Sequence, residues 1–156
     1  MNLYCRSIFL VAMALFISVP NGFAQKTDFN PRKEAMDEFE RSIPVFEIND
    51  DNIIDSPTPI YGDINGDGTE DCIISYYLIS KKGGNAIIGH LAAIYLNIDS
   101  SMKWADHFPL FRNCYNLEYI KDQVIYGKQY KCKPPYNTVV RERKFKFVKG
   151  KLRLIS

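Results

Sequence analysis

Nine consecutive residues set the terms for the chain: Asp63-Ile64-Asn65-Gly66-Asp67-Gly68-Thr69-Glu70-Asp71. Oxygen-bearing side chains stand at the first, third, fifth and ninth places, and glycine at the sixth. That spacing curls oxygens around one hard cation, and Gly68 permits the sharp turn that brings the later ligands back. The chain must therefore fold so that Ile60-Tyr61 leads into a loop and the apolar run from Cys72 leads out of it.

Calcium accepts roughly six to eight oxygens at about 2.3–2.6 Å in a tolerant geometry. Asp63, Asn65, Asp67 and Asp71 offer side-chain oxygens, and the Thr69 backbone carbonyl stands at the usual seventh place. Ca2+ is the expected cofactor. Magnesium demands stricter octahedral geometry, and zinc prefers nitrogen and sulfur, which this loop lacks. Three carboxylates this close repel one another, so the loop is expected to be loose without a cation. The rival reading is an acidic, glycine-rich turn that binds nothing.

The loop is not a complete EF-hand. Ile74 stands where a bidentate Glu belongs, and a strand-like run follows instead of a helix. The stretch Tyr61 to Ile74 resembles the calcium loop of integrin-type FG-GAP repeats and related bacterial VCBS repeats. The resemblance implies calcium ligation by Asp63, Asn65, Asp67 and Asp71. Those families build propellers from many copies, whereas the loop occurs once here, which excludes a propeller. The longer run, with Gly83-Gly84-Asn85 and the C-terminal Lys-Gly-Lys turn, is similar to small single-loop exported bacterial proteins. That likeness implies a periplasmic or secreted domain and lends no activity.

Residues 1–24 read as a signal peptide. Arg6 supplies the positive start, Ile8 to Val19 is almost unbroken apolar, and Pro20-Asn21 breaks it. Gly22-Phe23-Ala24 places small residues where signal peptidase reads, so cleavage is expected after Ala24. Residues 25–156 then form a single domain, with no further run long enough to span a bilayer. Export favours disulfides, and Cys114 and Cys132, both in polar, turn-like settings, are expected to pair. Cys72 lies in an apolar run and reads as a buried thiol.

Along the chain, Asn30-Pro31 reads as a helix cap followed by proline in the first turn. Ala35, Met36, Phe39 and Ile43 give an amphipathic helix from about Pro31 to Ser42, stopped by Pro44. Val45 to Ile48 is a short strand candidate, and Asp55 to Pro59 an extended connector. Cys72 to Ser80 is apolar on both faces, as a central strand should be, and Ala86 to Leu96 pairs back as a hairpin. Trp104 to Phe111 is irregular or a short strand, and His107 falls in a loop. Tyr115 to Ile120, Gln123 to Tyr126, Asn137 to Lys149 and Leu152 to Ile155 follow as strands. The expected fold is α+β: one N-terminal helix packed on a mostly antiparallel meander.

No nucleophile elbow, phosphate loop or zinc-binding helix motif is present, and His90 reads as a core or edge residue rather than a ligand, so a non-enzymatic calcium-binding module is expected. From Lys128 to Arg153 there are ten basic residues and one acid, Glu142. Arg141, Arg143, Lys144 and Lys146 are candidates for a partner surface. They would serve an inhibitor or immunity role against a periplasmic toxin, or bind an anionic envelope polymer. The blander reading sets these basic strands beside the acidic half, facing solvent. No nucleic-acid partner is expected.

Overall fold

The computed structural model describes residues 29–47, 51–82, 86–135 and 137–156. The expected signal peptide and its cleavage point lie outside the described residues. Among the described residues no helix is long and apolar enough to cross a membrane.

Helix α1 spans Pro31–Phe46. The Asn30 side chain accepts from the backbone N–H of Arg32 and Lys33 at 3.1 and 3.2 Å, closing two donors that the first turn leaves open. Ala35, Phe39 and Phe46 are buried along one stripe. The helix does not stop at Ser42: it runs through Pro44, and no strand begins at Val45. The cause is tertiary. Phe46 is 3% exposed and packs on Tyr76, Trp104 and His107, with ring centroids 6.0, 5.6 and 4.1 Å away. Burying that ring contributes about 2–3 kcal/mol, comparable to the roughly 3 kcal/mol that an interior proline costs.

Among the described residues, eight strands follow. β1 (Asn52–Gly62), β2 (Asp71–Ser80), β3 (Ile87–Asn97) and β4 (Met102–Pro109) form one antiparallel sheet in chain order. β5 (Tyr115–Lys121), β6 (Val124–Tyr130), β7 (Val139–Val148) and β8 (Lys151–Leu154) form a second. The extended connector is part of β1, an edge strand, where Pro57 and Pro59 interrupt no central ladder. A bulge at Asp55–Thr58 absorbs the irregularity, with Ser56 at φ 51°.

The α+β expectation of one helix on one meander is overturned. Two four-stranded sheets are present, and 56% of the described residues are strand against 16% helix, a mostly β protein. The helix also begins only at Pro31. The meander breaks after β4, where Pro109, a 3-10 turn over Phe111–Asn113 and a left-handed Cys114 (φ 51°) swing the chain over.

The layers are helix, first sheet, second sheet. Cys72, Ile74, Tyr76, Ala93 and Tyr95 meet α1 on one face of the first sheet. Ile73, Ala92 and Ile94 meet Leu117, Ile125 and Phe145 of the second sheet on the other. That placement explains why β2 is apolar on both faces. Gly127 is required where β6 passes β5, because a Cβ there would lie 2.4 Å from the Asn116 carbonyl oxygen.

Candidate metal centre

The nine-residue loop joins β1 to β2, starting after the Gly62–Asp71 pair closes their ladder. Two glycines give it its shape, Gly66 at φ 86° and Gly68 at φ 83°, in the region that side chains disfavour. Its oxygens are bonded to its own backbone. Asp63 Oδ1 accepts from Gly66 N at 2.6 Å, and Oδ2 from Gly68 N at 3.0 Å. Asn65 Oδ1 accepts from Asp67 N at 2.9 Å. Asp67 Oδ1 accepts from both Thr69 N and Thr69 Oγ1, while Asn65 Nδ2 donates to Asp67 Oδ2. The Thr69 hydroxyl and amide, followed by the Asn65 amide, hold the Asp67 carboxyl below its usual range. The loop expected to be held loose by repulsion is thus wound on its own amides.

Asp71 differs from the other four. It is fully buried, and both oxygens accept backbone N–H groups, Oδ2 from Ile64 at 3.0 Å and Oδ1 from Asn97 at 2.9 Å. Burial pushes its pKa up, the two amides oppose the shift, and the charges of Asp67 and Asp63 add to it. The loop's other fastening is Arg32 at the start of α1. Its Nε and Nη2 donate to the Glu70 carboxylate at 2.9 and 3.0 Å, and its guanidinium lies 4.8 Å from the Tyr61 ring centroid.

Asn97, at the end of β3, is the participant that sequence reasoning missed. Its N–H serves Asp71, and its carbonyl oxygen, 3.2 Å from Thr69 Oγ1, shares that hydroxyl proton with the nearer Asp67 Oδ1. Asn97 is 8% exposed, and its side-chain oxygen is buried without a hydrogen-bond partner among the described residues. No signal near Asn97 marks it, because only the pairing of β2 with β3 brings it to the loop.

In kind, the donors suit a hard cation: carboxylate, amide and carbonyl oxygens only. In arrangement, among the described residues no group of three or more His, Cys, Asp or Glu gathers as metal ligands. Each Asp63 oxygen takes one amide and keeps a second lone pair, whereas Asp67 Oδ1 already takes two donors.

Elsewhere, Cys114 and Cys132 form the expected disulfide, and Cys72 is a free, buried thiol that burial pushes up to about 12. The histidines belong to different layers. His107, in β4 rather than a loop, meets the Tyr76 hydroxyl at 2.9 Å under α1. His90 is on the side facing the second sheet, beside Tyr77.

The four basic residues of β7 do not share one face. Arg143 lies on the side that carries Phe145 and Phe147 inward, and its Nη2 donates to Gln129 Oε1 at 2.7 Å. Alternation puts Arg141 on that side too, and Lys144 and Lys146 on the opposite one. There the Lys144 ammonium lies 5.4 Å from the Tyr126 ring centroid, and Tyr126 stacks on Tyr119 at 4.7 Å.

No family model, curated protein or solved structure matches the chain. The likeness to FG-GAP and VCBS loops therefore rests on Tyr61 to Ile74 alone.

Proposed function

We propose that the chain is an exported, non-enzymatic module whose loop 63–71 takes one calcium ion, fastening the β1–β2 turn to the end of β3. Asp63, Asn65, Asp67, the Thr69 carbonyl and Asp71 supply the oxygens. The observation that carries this reading is the orphaned Asn97 side-chain oxygen, on the residue already bonded to both Asp71 and Thr69. A buried acceptor without a donor is costly, and a cation bound beside it would supply the missing partner. Mutual repulsion supports the same reading, since Asp63 and Asp67 add to the burial that lifts Asp71. Ion entry exchanges some of the loop's internal hydrogen bonds for metal–oxygen contacts.

Calorimetry on the whole chain tests the reading. Calcium should bind at one site with a dissociation constant on the order of 10⁻⁴–10⁻³ M, the range of extracellular modules. At a hundredfold excess over that constant, stability should rise by about 2.7 kcal/mol. Asp63→Ala should abolish the heat, and Asn97→Ala should weaken binding. No heat at millimolar calcium, with a melting midpoint indifferent to chelator, leaves the loop a self-capped turn.

A second reading, binding of an anionic envelope polymer, is favoured by one observation: Lys144 set over Tyr126 on the outer face of the second sheet. Retention on such a polymer that falls with salt and with Lys144→Glu and Lys146→Glu supports it. A toxin partner would instead be recovered from envelope extract, and recovery unchanged by the same substitutions separates that role from this face.

A further inference from the structure

A cleft of about 570 Å³ is lined by residues of both sheets and of the turn that joins them. Tyr77 of β2 and His90 of β3 form one wall, Phe111 and Tyr115 another, with Tyr130 and Lys131 closing it. The volume lies inside the range of small-molecule sites, roughly 300–1,000 Å³.

Three features give the cleft a chemical preference. First, it is aromatic. Tyr77 and His90 are cross-strand partners with rings stacked at 4.3 Å and 21°, and Phe111 is left 50% exposed at the mouth. Such faces take up a flat ring by offset stacking. Second, among the described residues Lys131 is the one charged side chain lining it, and no carboxylate does. An anion finds a counter-charge there, and a cation does not. Third, His90 is 8% exposed, and burial alone accounts for the lowering of its pKa, with no hydrogen bond or charge offsetting it. A histidine ring lining a cleft can offer a ring nitrogen to a bound molecule.

The rim is held firmly. The Cys114–Cys132 disulfide ties the start of β5 to the end of β6, and Tyr130 N donates to Cys114 O at 2.9 Å. Lys131 N donates to Thr138 O at 2.9 Å. Walls fixed before binding lose little freedom when a ligand enters.

We infer that this cleft binds a planar aromatic acid, its ring against the Tyr77–His90 pair and Phe111 and its anionic group toward Lys131. The inference does not rest on calcium binding by the loop.

Naphthalene-2-sulfonate is a suitable probe, titrated into the disulfide-bonded full chain at pH 7 with calorimetry or chemical-shift mapping. One saturable site is expected, with shifts at Tyr77, Tyr115 and Tyr130. Lys131→Gln and Phe111→Ala, both at exposed positions, should each weaken binding roughly tenfold while leaving the melting midpoint near that of the parent. A trimethylammonium analogue of the same ring should fail to bind. No saturable binding up to 1 mM probe (roughly −4 kcal/mol), affinity unchanged in either variant, or equal binding of the cationic analogue overturns the inference.

Discussion

Tyr77 and His90 stand opposite each other on the β2–β3 ladder with their rings stacked at 4.3 Å, on the side of the first sheet that faces the second. Burial pulls the His90 pKa from 6.5 down to about 4. The unfolded chain takes up that proton near 6.5 and the folded chain only near 4, so the unfolded state binds more protons between them. The stability carried by neutral His90 is complete above about pH 6.5 and is lost as the pH falls to about 4, by roughly 3 kcal/mol. Urea unfolding at pH 7, 5.5 and 4 should show that decline. His90→Gln should remove most of it, whatever its effect at pH 7, and an equal decline in the variant refutes the assignment.

The Asp71 carboxylate accepts from two backbone donors on different segments, Ile64, 7 residues before it, and Asn97, 26 residues after it. Asp71→Ala leaves both buried N–H groups unpartnered and should cost about 3 kcal/mol. Asp71→Asn keeps the volume and one acceptor and should cost less. Denaturant titration in chelator separates this structural role from any effect of calcium. A loss under about 1 kcal/mol for the alanine variant contradicts it.

Two glycines pack tightly, but their neighbours differ in their freedom to move. At Gly127 an added Cβ meets a backbone carbonyl oxygen 2.4 Å away, whereas at Gly62 it meets the Ile120 side chain, 2.7 Å from Cγ2. A side chain can shift its rotamer more readily than a paired strand can move. Gly127→Ala should therefore destabilise by about 3 kcal/mol or prevent folding, and Gly62→Ala by about 1–2 kcal/mol. Thermal melts of the two variants give the comparison, and the reverse order counts against the packing described.

The cysteines should divide cleanly in chemical behaviour. Replacing Cys114 and Cys132 together by Ser opens a crosslink of sequence separation 18 and should lower stability by about 3 kcal/mol. In a chain carrying Cys5→Ser, the Cys72 thiol, buried and pushed up to about 12, should resist a thiol reagent until denaturant is added. Rapid labelling of the native protein would show that the first sheet is open where α1 should cover it.

Much of the local structure was legible in the sequence. Asn30-Pro31 announced the helix start, two-sided apolarity placed β2 inside a sheet, and turns were expected at Lys121-Asp122 and Lys149-Gly150; the first falls one residue later, at Asp122-Gln123, between β5 and β6. Asp122, Gln123, Lys149 and Gly150 all take positive φ. The split of the β7 cations was also present in the alternation of Phe145 and Phe147 with Lys144 and Lys146, which a patch of consecutive charges obscures. The helix end was not legible. Pro44 argues for a stop at short range, and only the rings of Tyr76, Trp104 and His107 outweigh it.

The chain's own order of residues settled whatever depends on neighbours a few positions apart: the cap on α1, the in-and-out rhythm of each strand, and a loop crowded with oxygens. Folding in three dimensions settled which strands share a sheet, that Asn97 joins Asp71 and Thr69, and that a cleft opens beside His90. The reason is physical. Propensity and periodicity act over one turn or one pleat, whereas partners such as Asp71 and Asn97 become neighbours only when a ladder registers segments distant in the chain.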